Sequence, residues 1–124
     1  MKSLEFIDMV RKVLDAEPAV RERAADEVTD RLSAYSPAQA SALATLLSAA
    51  AASEEDNSAL ESELHAILEL MSTGHVIMGH VAPLREIRLG NCSLNSASTL
   101  ATCLKTERHL AREQRTGISR SVTQ

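Results

Sequence analysis

The stretch SPAQASALATLLSAAAAS, residues 36–53, decides the fold. Ser36 and Gln39 frame a capping box: the hydroxyl can accept from the third amide while the Gln side chain reaches back to the first. Pro37 falls at the first helical position, where its missing N–H costs nothing. Behind this start, Leu43, Leu46, Leu47 and Ala50 recur at helical spacing. From Leu32 to Ser53 there is no charged residue. A helix so poor in polarity is buried on more than one side, so other helices must pack around it. Its small-residue side, Ala38, Ser41, Thr45, Ser48 and Ala52, is expected either to sit between the helices before and after it or to form a dimer contact. Pro37, Gln39, Thr45 and several Ser make it unsuitable as a membrane span.

Similar amphipathic segments extend outward on both sides. Upstream, Phe6, Ile7, Val10, Val13 and Leu14 make one face of a first helix from about Ser3 to Asp15, with Ser3 as cap. A second helix starts at Pro18 and ends near Tyr35. Val20, Ala24, Val28 and Leu32 turn inward, and Arg23, Glu27 and Arg31 form ion pairs at i,i+4. Downstream, Ser58 and Glu61 suggest a second capping box, followed by Leu60, Leu64, Ile67, Leu68 and Met71 and a stop at Gly74. A short fifth helix is expected over Gly79–Leu89 with Val81, Leu84 and Ile87 inward. A sixth is expected over about residues 95–113, capped by Asn95, with Ala97, Leu100, Ala101 and Leu104 on one face. Residues 115–124 read as a flexible polar and basic tail.

Composition points the same way. The chain has 124 residues, enough for one domain (residues 1–114) whose core needs neither disulfide nor metal. Phe6 and Tyr35 are its only aromatics, so the core is built from Leu, Val, Ile, Met and Ala, and Ala favours helix over strand. The net charge of −4 hides an asymmetry. Residues 1–72 hold 6 Lys/Arg and 14 Asp/Glu, whereas residues 73–124 hold 7 and 3. An acidic body disfavours phosphate backbones, and base stacking lacks aromatics, so nucleic acid is not an expected partner. Cys92 and Cys103 match no zinc or redox spacing. Glu5 and Asp8 interrupt any signal-like apolar run. The expected location is the cytoplasm, with reduced thiols and no membrane partner.

Shifting the sequence by forty places Val20, Ala24 and Val28 on Leu60, Leu64 and Leu68, and Ala44 and Leu47 on Leu84 and Ile87. A two-helix unit of about forty residues is the period of HEAT and armadillo arrays. The segment DAEPAVRERAA, residues 15–25, has a short acidic turn, then Pro-x-Val-Arg, then small residues. Over about residues 3–90 the chain resembles bacterial HEAT-like helical repeat proteins. The second unit departs from the motif, since Asn57-Ser58-Ala59-Leu60-Glu61 lacks both the Pro and the Arg. The resemblance implies an all-α fold of about six helices in stacked antiparallel pairs, a short α-solenoid, with an irregular helical bundle as the alternative. It implies a protein-binding scaffold and carries no catalytic residue.

No cofactor-binding or catalytic motif occurs: there is no Gly-x-Ser-x-Gly elbow, no phosphate-binding Gly loop and no Cys–His signature. Glu22, Asp26 and Asp30 align at i,i+4,i+8 and, with Glu27, form an acidic stripe suited to a basic partner protein. Like charges at that spacing gain the helix nothing. Glu61, His65 and Glu69 share a face but need further ligands to hold a metal, and His75 and His80 match no zinc pattern, so no metal site is assigned. Lys105, Arg108, Arg112 and Arg115 line the last helix and could meet acidic protein or nucleic acid, or fold back on the stripe. The expected function is therefore a non-catalytic protein–protein interaction module, acting as a monomer or homodimer. One alternative is an immunity protein that neutralises a basic bacterial toxin. Another is a HEAT-like DNA-binding or repair protein.

Overall fold

A computed structural model describes residues 1–76, 83–84, 87, 96–106, 108–109 and 112. Among these the chain is all-helical, with no strand. The elements are α1 (Ser3–Val13), α2 (Pro18–Asp30), a single 3-10 turn (Leu32–Ala34), α3 (Pro37–Ser53) and α4 (Asn57–Ser72). Five helical elements thus have defined bounds among the described residues, rather than six. Residues 96–106 are helical as well. The expected fifth helix, Gly79–Leu89, lies outside the described residues except for Pro83, Leu84 and Ile87. The cap Asn95 and the tail 115–124 also lie outside them.

Local chemistry explains the helix starts. At α3 the expected capping box forms: Ser36 Oγ accepts from the Gln39 amide at 3.2 Å, and the Ser36 amide donates to Gln39 Oε1 at 3.0 Å. Gln39 Nε2 also donates to the Met1 carbonyl at 2.8 Å, pinning the start of the chain. At α4 the cap is Asp56 rather than Ser58; its Oδ1 accepts from the Ala59 amide at 2.9 Å. α1 begins at Ser3 itself, with Lys2 at the N-cap and no side-chain cap bond. Gly74, at φ +77, ends α4 in the left-handed conformation that glycine adopts without strain.

The main seams run from α1 to α2, α2 to α4, α4 to α3 and α3 back to α1. Each of α1 to α4 therefore packs mainly on two others of the four, and α2 and α3, successive in sequence, lie on the diagonal. The core collects Met9 and Val13 from α1, Ala24, Ala25 and Val28 from α2, Leu43, Ala44 and Leu47 from α3, and Leu60, Leu64, Ile67, Leu70 and Met71 from α4. Leu84, Leu100 and Cys103 belong to the same cluster, and the Cys103 thiol donates to the Leu64 carbonyl at 3.5 Å.

Two expectations about faces change. Ile7 and Leu14 point outward, 46% and 54% exposed, and Met9 takes the inward place. Within an apolar-rich helix, spacing alone does not decide which of two overlapping stripes is covered. On α3, Ser41 and Ser48 of the small-residue side are buried, Thr45 and Ala52 half-buried and Ala38 exposed. Ser48 satisfies its hydroxyl on the Ala44 carbonyl at 2.7 Å.

Candidate functional site

The α2–α4 seam carries two polar features, one open and one closed. The open one is a groove of about 300 Å³ lined by Glu22 and Asp26 from α2 and Ser58, Glu61, Ser62 and His65 from α4. Successive turns of each helix present these residues at i,i+4 or i,i+3, which aligns them along the seam. The structure thus divides the stripe expected on α2. Glu22 and Asp26 reach the groove. Asp30 is exposed at the last position of α2 and does not line it. Glu27 lies in the α1–α2 crevice with Lys12, Val20, Arg23 and Ala24, and accepts from Arg31 at 3.3 Å. Arg31 also approaches Glu5 at 3.9 Å.

Glu61 and His65, considered in the sequence for metal binding with Glu69, instead complete the groove opposite Glu22 and Asp26. Among the described residues no cluster of three or more His, Cys, Asp or Glu is arranged to hold a metal ion. His75 is exposed, and His80 lies outside the described residues. Lys105, Arg108 and Arg112 are exposed; Arg115 lies outside the described residues.

The closed feature was not recognised in the sequence. Arg21 Nε and Nη2 bind the two oxygens of Glu54 at 2.7 Å each, a bidentate fork across 33 residues of chain. Arg21 Nη1 donates to the Asp15 and Ala16 carbonyls at 2.8 and 2.9 Å. Glu54 Oε2 accepts in addition from the amides of Glu55 and Asp56 at 3.1 and 3.2 Å. Against this pair lies Glu63 of α4, 1% exposed, neither of whose oxygens accepts a hydrogen bond.

Two neighbouring carboxyls in this setting cannot both ionise, and their protonation separates. Burial, above all, pushes the Glu63 carboxyl up to about 9, and the negative charge on Glu54 adds to the effect. Burial would raise Glu54 too, and is the largest single influence on it. The Arg21 fork, the hydrogen bond from Glu63 and the Asp56 amide together outweigh it and hold Glu54 down at about 2. The pair therefore keeps one proton at neutral pH, on Glu63. Arg21 is raised by its hydrogen bonds to Glu54.

Open clefts flank the Arg21–Glu54 pair, one of about 270 Å³ lined by Val13, Leu14, Asp15, Ala50 and Ser53 among others. Glu54 is 2% exposed and accepts from Arg21 and from the amides of residues 55 and 56, and Glu63 lines neither this cleft nor the one beside Pro18 and Glu55. A carboxylate held at about 2 and closed off from solvent is a weak base. The arrangement does fix position: Arg21 ties the α1–α2 loop to the α3–α4 loop, and the adjoining Glu22 and Ser62 are groove residues. One sequence signal did mark Glu63. It falls at i+3 from Leu60 and beside Leu64, an acid within the apolar face of α4. Arg21 and Glu54 have no local signal, because their partnership is long-range.

Compared with protein-family models, with characterised proteins and with solved structures, the chain finds no match in any of the three.

Proposed function

We propose that this chain is a non-catalytic protein-binding module, and that the α2–α4 groove takes a basic segment of another protein. The observation that carries the reading is the convergence of Glu22, Asp26 and Glu61 on one open seam. Lys or Arg side chains from a partner would set their charged ends among these carboxylates and lay their aliphatic stems along the groove. The groove has a fixed spacing before any partner arrives, because the Arg21–Glu54–Glu63 tie lies one residue away on both helices. Preorganisation of this kind lowers the ordering cost of binding.

A HEAT-like stack remains the finer reading of the fold, and the burial register supports it. At an offset of forty, buried Ala24 corresponds to buried Leu64 and buried Ala44 to buried Leu84, while Val20–Leu60, Val28–Leu68 and Leu47–Ile87 each match a buried side chain with a half-buried one. The ring of seams, with α2 and α3 on the diagonal, supports the alternative of an irregular bundle. Either frame offers the same groove. No helix among the described residues is long and apolar enough to cross a membrane, and the proposed setting is the cytoplasm.

A second reading follows from the charge of residues 1–72, 6 Lys/Arg against 14 Asp/Glu. In it the chain is an immunity protein that neutralises a basic bacterial toxin, with the toxin encoded beside it. The test is capture of the partner from native lysate, identification by mass spectrometry, and calorimetric titration against wild type and the triple variant Glu22→Lys, Asp26→Lys, Glu61→Lys. The variant is expected to lose roughly a hundredfold or more in affinity with its helix content unchanged, and wild-type binding is expected to weaken with salt. An unchanged affinity would remove the groove from the argument. A gel shift of duplex DNA at moderate salt would move the reading to nucleic acid.

A further inference from the structure

We propose that α1 pairs with α1 of a second copy, antiparallel across a two-fold axis, through its outward apolar stripe. Three large apolar side chains stand exposed among the described residues: Leu4 at 83%, Ile7 at 46% and Leu14 at 54%. All three lie on α1 or its C-cap, and with Arg11 they recur at i, i+3, i+7 and i+10, a single face. Isolated exposed Leu residues are common on proteins. A full set gathered on one face of one short helix marks a contact surface.

The charges of α1 select the occupant. Glu5 and Asp8 occupy its first half, and Arg11 and Lys12 its second half. A second copy laid antiparallel sets Leu4 against Leu14 of the partner and Ile7 against the aliphatic stem of the partner's Arg11. Asp8, at the flank of the stripe, then stands beside the partner's Arg11, while Glu5 and Lys12 turn toward α2. A parallel pairing would oppose acid to acid and base to base. The Asp8–Lys12 pair at 3.2 Å is 45–62% exposed, so exchanging it for an intermolecular partner costs little. The pairing is isologous and self-limiting, as a two-fold contact requires. It shares no residue with the acidic groove, so a dimer presents two grooves and gains avidity toward a repeated basic partner.

From Leu4 to Leu14 the stripe spans about 15 Å. A contact of this length falls at the small end of the range for specific interfaces, so a weak, concentration-dependent dimer is expected. Sedimentation velocity on the full chain over about 5–500 µM tests it. Wild type is expected to pass from monomer to dimer. The variant Leu4→Glu, Leu14→Glu is expected to remain monomeric over the same span with unchanged circular dichroism, since both positions are exposed. Arg11→Glu alone should raise the dissociation constant about tenfold, and Asp8→Arg with Arg11→Glu should restore it, because a symmetric contact re-pairs the swapped charges. The proposal is overturned by a wild type that stays monomeric, including one that instead floats with anionic vesicles. It is overturned equally by a dimer indifferent to the Leu4, Leu14 variant, as one through α3 would be. Failure of the charge swap to restore dimerisation would overturn the antiparallel register.

Discussion

Replacing Glu63 by Gln should make the protein more stable, and by an amount that grows with pH. The carboxyl has an ordinary value of 4.5 and is pushed up to about 9 in the fold by burial and by Glu54. Between those values the unfolded chain has released the proton and the folded chain keeps it. Folding therefore takes up a proton, and stability falls as pH rises, at about 1.4 kcal/mol per pH unit. This contribution is fully present below about pH 4.5, declines through neutrality and levels off above about pH 9. Gln has nearly the same shape, keeps an N–H donor to offer Glu54, and has no proton to lose. The two proteins should match near pH 4.5, and the variant should lead by about 3 kcal/mol at pH 7, less whatever relaxation around Glu63 recovers. Urea midpoints at a series of pH values from about 5 to 8, with the slopes checked for constancy, give the difference directly. Parallel stability curves for the two proteins would refute the buried neutral carboxyl, as would a variant less stable at the alkaline end.

Removing the other half of the tie should do the reverse. Arg21→Ala leaves the Glu54 carboxylate, 2% exposed, without its counter-ion, and should cost about 3–5 kcal/mol in urea unfolding at pH 7. Glu54 is held down at about 2, so that loss should be full above about pH 4.5 and shrink as pH falls toward 2. Ser36→Ala removes the hydroxyl of the α3 capping box and should cost about 1 kcal/mol, read as a lower thermal midpoint by circular dichroism. Burial pushes the Cys103 thiol up to about 12, so in peptide-resolved labelling with a thiol reagent at neutral pH it should react only through opening of the fold, at a rate that rises with urea.

How much of this was legible in the sequence follows from the range of each interaction. The start of α3 is written in four consecutive residues, and its bonds close within them, so pattern alone finds it. At the start of α4 the local rule points to Ser58, because Glu61 stands three residues on. The fold selects Asp56, because the loop before it is already held: Glu54, fixed by Arg21, accepts the amides of residues 55 and 56. A contact 33 residues away thus overrides a local preference. The same holds for the functional stripe. Glu22, Asp26 and Asp30 drift only about 40° per step around the helix, so the position of α4 separates the two that reach the groove from Asp30, whereas Glu27 lies well round the helix on the α1 side. The Glu61–His65 pair was visible as a cluster, but its role depended on what stood opposite.

The position of the tie also makes physical sense of an Ala-rich core. Helices that meet through Ala and Leu pack closely, but small smooth side chains resist sliding along the axis poorly, since one turn of displacement presents much the same surface. A bidentate Arg–carboxylate fork has no such tolerance: its two bonds of 2.7 Å require one position and one orientation. Replacing a buried ion pair with apolar residues often leaves a protein as stable or more so, so net stability is a weak account of why a pair is present. Here the pair sets the register of α2 against the α3–α4 loop, and Glu63 extends it into α4 at the expense of a carboxyl kept neutral. Opposite effects on two observables separate these roles. If the tie works by register, Glu63→Gln should raise stability while leaving partner affinity at the groove intact. Arg21→Met combined with Glu54→Met, which makes both partners apolar and strands neither, should weaken groove binding even where it leaves unfolding nearly unchanged. Equal loss of both in the Met variant would make the tie a stabilising contact and no more.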